Sequence, residues 1–117
     1  SIIFTGSAEF YTPNKLLLDY AASKYAVVGF SKALAKQVID KGIRVNTVCP
    51  GPTWTPLEVS GGNLDEDIPQ HGLDTPFKRP GQPIEMVGAY VHLASNEATY
   101  TTGEVYGVTG GLSMGLF

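Results

Sequence analysis

The chain has a single cysteine, Cys49, among its 117 residues, so no disulfide can close within it. That fits a reducing cytoplasm, the location expected here. Long hydrophobic runs are also missing. None approaches the ~18 residues that a membrane-spanning helix needs. Positive charge is scarce, with 8 Lys and Arg against 11 Asp and Glu, a net charge of −3. This balance gives no basic footprint for nucleic acid and no cationic amphipathic face for a membrane surface. The two histidines, His71 and His92, lack metal-ligand spacing and have no second ligand cluster, so no metal site is expected. The start is not signal-like. The chain opens on Ser1 in what reads as mid-strand, which points to processing, a cut or a truncated gene model.

What is present is globular in character. The hydrophobic fraction is 43% and the charged fraction 16%, and a chain of this size buries roughly 60–70% of its unfolded surface. One domain, or part of one, is expected over 1–117. "SIIFT", 1–5, is a short β-branched run that reads as a buried strand. Gly6, Pro13 and Asn14 mark a loop over 6–14. From Lys15 to about Lys41 Leu17, Ala21, Val28, Leu34, Val38 and Ile39 recur near helical spacing, and Gly42 supplies the stop. "IRVNTVC", 43–49, is a second strand, broken at once by "PGPTWTP". A polar, Gly- and Pro-rich connection over 57–80 is too long for a turn, and such loops are usually functional or mobile. Pro83 suits the first turn of a helix through "IEMVGAYVHLAS", and "GEVYGVTGG" is a third strand. Strand, helix, strand, helix, strand implies a parallel α/β sheet, half of a doubly wound fold.

The chemistry sits in "DYAASKYA", 19–26. Tyr20 and Lys24 are four apart, one turn of a helix, on one face. A phenol titrates near 10 and is a poor proton shuttle at neutral pH. An ammonium beside it favours the phenolate and brings it closer to a useful range. Alone, such a pair occurs by chance on many helices. Ser7, at the end of the preceding strand, could donate a hydrogen bond to an oxygen that gains negative charge, and Tyr20 could protonate that oxygen. Ser7 and the Pro50–Gly51 turn both follow strands directly and so share the carboxyl edge, where open α/β sheets bind ligands.

These residues resemble the short-chain dehydrogenase/reductase family. "YAASK" matches its Tyr-x-x-x-Lys motif, Ser7 stands thirteen residues before Tyr20, "GIRVNTVCPGPTWTP" looks like its Pro-Gly segment, and "YTTGEVYGVTGG" resembles its last strand. "PFKRPGQPIE" and "SGGNLDEDIPQHG" are most similar to a bacterial and fungal branch related to glucose and ribitol dehydrogenases. The resemblance implies a Rossmann-type half-fold with Ser7, Tyr20 and Lys24 as catalytic residues. It implies NAD or NADP as cofactor, met by Tyr20, Lys24, Pro50, Gly51, the backbone of Thr53 and the side chain of Thr55. Threonine at 53 departs from the usual branched aliphatic. It also implies reversible oxidation of a small alcohol or reduction of a carbonyl, in a homo-oligomer, dimer or tetramer. Ser7, Trp54, Leu57, His71 and Phe77 are the expected substrate pocket, with 57–80 as a substrate-loop insertion.

Plainer readings stand beside these. Ser7 could be a loop cap, and Thr53 and Thr55 could cap a helix start. Cys49 reads as a small buried hydrophobe. His71 reads more simply as a solvated loop histidine, and His92 as a satisfied structural residue. Asp65–Glu66–Asp67 reads most simply as a solvated face or helix start, with a cation site a distant second, Trp54 and Phe77 as apolar anchors, and Gly110–Gly111 as a backbone turn. The sequence holds no G-x-x-x-G-x-G followed by a helix. The phosphate-binding half, including the residue that selects NAD from NADP, is therefore expected from a longer native chain. The alternative is a truncated, cofactor-free product acting as an isomerase, dehydratase or cyclase, or as an assembly or binding protein.

Overall fold

The computed structural model describes residues 1–61 and 63–115. Three strands, β1 (Ile2–Thr5), β2 (Val45–Pro50) and β3 (Val105–Val108), form one parallel sheet in the order β1-β2-β3. The register sets Ile2 against Val45 and Thr47 against Val105. Helices α1 (Leu18–Val38) and α3 (Pro83–Ala94) make the crossovers, and α2 (Pro56–Ser60) is a short helix inside the long connection. This is the expected parallel α/β half-sheet.

Successive strand residues point to opposite faces, and β1 shows where the helices lie. Ile3 packs on the buried cluster of Val48 from β2 with Ala89, Leu93 and Ala98 from α3 and its exit. Phe4 meets Phe30 of α1 edge-on, 5.6 Å between ring centres. The two helices therefore flank the sheet. Contrary to the buried strand expected at 1–5, β1 is only half-buried, because it pairs with β2 on one side alone among the described residues. β2, paired on both sides, has five consecutive buried residues, Val45 to Cys49.

Helix α1 begins at Leu18 rather than Lys15, after the non-helical Leu17 (φ −124°, ψ 49°), which offers no side-chain cap. Its last residues tighten into a 3₁₀ turn, Ile39–Lys41, and Gly42 ends it with φ 71°, the left-handed cap that favours glycine. The buried face is Ala21, Val28, Ser31 and Ala35. Of the expected apolar face, Ala21 and Val28 are buried and Leu34 and Val38 half-buried, whereas Leu17 and Ile39 are exposed. Small residues on the buried face let the helix lie close to the sheet, which leaves the larger side chains outside. Helix α3 starts at Pro83, and Glu85 reaches back to accept from the Gln82 amide at 2.8 Å. No helix among the described residues is long and apolar enough to cross a membrane.

The connection over 57–80 is pinned at its base. Thr53 and Gly81 form an isolated parallel bridge, with Trp54 N–H donating to Gly81 O and Gly81 N–H to Pro52 O, each at 2.8 Å. Arg79 adds a bidentate ion pair to Glu85, both contacts 2.8 Å. The Arg79 guanidinium, with help from the Gln82 amide, lowers the Glu85 carboxyl from 4.5 to about 2. A depressed carboxyl stabilises the folded state above its unfolded value, and the effect is lost as pH falls from about 4.5 towards 2. Both partners are exposed, so the contribution is small and salt-sensitive. Glu85→Gln is expected to flatten the acid limb of a stability-against-pH curve in that window. An unchanged acid limb would mean that the pair does not persist in solution.

Candidate active site

Parallel strands put their carboxyl ends on one edge, and that edge gathers Ser7, the Pro50–Gly51 turn and the Gly110–Gly111 turn. Ser7 directly follows β1 and Gly6, and is buried, with 9% exposure. It is the N-cap of a 3₁₀ turn, Ala8–Phe10, its Oγ accepting from Glu9 N–H at 3.2 Å. The capping geometry is thus real, and the hydroxyl proton stays available to donate.

Tyr20 lies in the first turn of α1 and is 42% exposed. Lys24, one turn later, places Nζ 5.7 Å from the centre of the Tyr20 ring. The same ammonium donates to Thr5 O at 3.3 Å, two residues before Ser7. One lysine therefore touches both the tyrosine and the strand end that leads into the serine. Cys49 lies wholly buried, as expected of a small hydrophobe. Burial pushes its thiol up, against opposing pulls from the Ser7 amide and the Lys24 ammonium. Tyr11 is likewise pushed up, first by burial and then by the neighbouring Cys49.

At the end of β2, Gly51 N–H donates to Val108 O at 2.8 Å. A Cβ at Gly51 would stand 2.8–3.0 Å from three backbone atoms of Thr109, so only glycine lets the two strand ends approach this closely. Gly51→Ala is expected to cost about 1–3 kcal/mol through overpacking. The measurement is the urea midpoint, and no change in it would show that the Thr109 backbone yields freely. Thr53 Oγ1 donates to Gly51 O at 2.9 Å, so it braces the turn rather than capping a helix. Thr55 is the N-cap residue of α2 but makes no side-chain cap bond, which leaves its hydroxyl uncommitted.

The expected pocket residues divide. Trp54 and His71 come together, ring centres 6.3 Å apart. His71 is half-buried rather than solvated, because its Nδ1 lies 3.0 Å from Glu58 Oε2, and Asn63 Nδ2 holds the same carboxylate at 3.2 Å. Leu57 is exposed beside them in sequence. Phe77 N–H donates to Gly110 O at 3.2 Å, and Phe77 lines a cavity of about 90 Å³ with Pro52, Thr75 and Thr109. That cavity includes none of Ser7, Tyr20, Trp54, Leu57 or His71. His92 is half-exposed, 3.9 Å from Glu97, and not enclosed as a structural histidine would be. Asp65–Glu66–Asp67 is a solvated turn, as one of its two readings had it. Gly110 and Gly111 make a turn at positive φ, followed by a 3₁₀ turn over Leu112–Met114.

Sequence reasoning missed the residues that tie this edge together: Thr5 as the partner of Lys24, and Phe10, Tyr11 and Tyr25 as an aromatic cluster under the Ser7 turn. The only available signal was three aromatics flanking the two motif segments.

A three-stranded parallel sheet flanked by helices is a Rossmann-type α/β arrangement. A family model described as enoyl-(acyl carrier protein) reductase matches residues 1–113. The chain belongs to the short-chain dehydrogenase/reductase family. It is 56% identical over 115 residues to the uncharacterized oxidoreductase YghA of Escherichia coli, covering 98% of this chain and 39% of that one. It is 49% identical over 111 residues to glucose and ribitol dehydrogenase of Daucus carota, covering 95% and 38%. Among solved structures, L-sorbose reductase from Gluconobacter frateurii, complexed with NADPH and L-sorbose, superposes with a TM-score of 0.82 at 33% identity, covering 96% of this chain and 46% of that one. The chain thus spans about two fifths of the length of these curated relatives.

Proposed function

We propose that this chain forms the catalytic half of an NAD(P)-dependent oxidoreductase that interconverts a small alcohol and its carbonyl. The observation that carries the reading is Lys24, set one turn after Tyr20 and bonded to the carbonyl of Thr5 beside Ser7. The dinucleotide, when bound, supplies or accepts the hydride. In the reducing direction the hydride adds to the carbonyl carbon and the C=O π pair moves onto oxygen. Ser7 donates a hydrogen bond to that oxygen as its charge grows, and Tyr20 gives it a proton. The tyrosinate left behind regains a proton from solvent, with the Lys24 ammonium stabilising it meanwhile.

The residues fit such a cofactor. Among the described residues Lys24 forms no ion pair with a carboxylate, and its one hydrogen bond is to a carbonyl, so donors remain for a ribose diol. Among the described residues Thr55 makes no side-chain cap bond, which leaves its hydroxyl for a ligand. The names of the carrot dehydrogenase and the sorbose reductase support a hydroxylated small molecule as substrate. Exposed Ile84, Val87 and Val91 on one face of α3 support assembly into a homo-oligomer. The free, buried Cys49 suits a reducing compartment such as the cytoplasm.

The test is the intact mass of the native protein together with NADH and NADPH titration. A native chain well above 12.5 kDa that quenches dinucleotide fluorescence supports this reading. A native 12.5 kDa species without dinucleotide affinity would instead favour the cofactor-free alternative.

A further inference from the structure

We infer that Tyr25 is a positioning residue, whose hydroxyl holds the Ser7 turn at a fixed separation from Tyr20. The inference rests on the oxidoreductase reading above. Tyr25 lies on α1, directly after Lys24 and five residues after Tyr20. Its hydroxyl donates to Phe10 O at 2.8 Å, and its ring packs on the Phe10 ring with centres 5.1 Å apart. Phe10 is the last residue of the 3₁₀ turn that Ser7 caps, and its own N–H donates to Ser7 O at 3.0 Å. Two hydrogen bonds in series therefore run from α1 to the backbone of Ser7.

Consecutive residues of α1 grip the same segment at both ends. Lys24 holds Thr5 O, two residues before Ser7, and Tyr25 holds Phe10 O, three residues after it. The two grips are not equivalent. Lys24 reaches Thr5 at 3.3 Å through a flexible four-carbon stem, and its ammonium has work elsewhere once a ribose is bound. Tyr25 has a rigid ring, a shorter bond and no part in the chemistry. When Lys24 turns to the cofactor, Tyr25 is the side-chain tie that keeps the turn against the helix. Proton transfer from Tyr20 and hydrogen bonding from Ser7 act on one oxygen, so their separation matters, and a 1 Å misplacement can cost on the order of 10²-fold in rate.

Tyr25→Phe removes the hydroxyl and keeps the ring. In the native-length protein it is expected to lower kcat by about tenfold, with substrate KM and dinucleotide affinity within about twofold of wild type. Amide exchange should rise in the peptide over residues 8–12 and stay unchanged in β2. A kcat within about twofold of wild type overturns the inference. So does a fall in kcat accompanied by faster exchange throughout the sheet, because that marks a general loss of stability. If wild-type protein turns over no alcohol or carbonyl, the oxidoreductase reading fails on its own. The exchange measurement then decides for Tyr25, and unchanged exchange over residues 8–12 overturns its role.

Discussion

Tyr20→Phe is expected to lower turnover of the native-length protein by roughly 10²–10⁴-fold, the usual contribution of a general acid or base. The substitution is clean. It leaves an aromatic ring within reach of Lys24, whose Nζ lies 5.7 Å from the ring centre, and removes only the oxygen. The ring is 42% exposed, so the fold should not notice the change. Substrate KM should move little, because the missing proton transfer belongs to the transition state. Steady-state rates with both dinucleotides, together with an unfolding curve for each protein, separate the cases. Turnover equal to wild type removes Tyr20 from the mechanism, and a large fall in stability would assign the loss to folding.

The second large effect concerns the platform. Leu93 is fully buried and is the largest side chain in the cluster with Val48, Ala89 and Ala98. Leu93→Ala is expected to cost about 2–5 kcal/mol, the sum of lost transfer energy and the cavity left behind. That is a large share of the 5–15 kcal/mol typical of a folded domain. The neighbouring structure makes collapse around the gap difficult. Arg44 donates to the carbonyls of Leu93 and Ser95 at 2.8 and 3.2 Å, which fixes the end of α3 against β2. Tyr90, on the same helix, shares a 2.8 Å hydrogen bond with Thr5, the residue whose carbonyl holds Lys24. Loosening α3 therefore reaches the edge that carries the candidate site. The check is the urea midpoint of the native-length variant, and a cost below about 0.5 kcal/mol would show that α3 does not pack as described.

Much of this was legible in the residues. Gly42 stopped α1 as expected, Pro83 opened α3, and the β-branched runs at 2–5 and 45–50 became neighbouring parallel strands. These signals are local, and local chemistry decides them. The orientation of α1 was less legible. Large residues such as Leu17 and Ile39 look like core, yet Ala21, Ser31 and Ala35 face the sheet, and that choice depends on how closely a helix packs. The motif residues were legible because their order and spacing are distinctive. Their supports were not: Thr5 acts through a backbone carbonyl, and Tyr25 and Phe10 meet only once the chain has folded back. The pairing of Trp54 with His71, 6.3 Å between ring centres, was equally hidden, because a long loop has to fold back to make it.

The bridge between Thr53 and Gly81 makes that loop a handle soldered at both feet. Its ends are fastened by the sheet-side backbone, and its return leg is packed as well, with Thr75 buried and Phe77 N–H bonded to Gly110 O. Loop-closure entropy varies only slowly with length. The outer stretch between Trp54 and Gly72 is then the part whose length and composition can vary at least cost to the fold. Evolution, or an engineer, could retune this protein by swapping a cartridge.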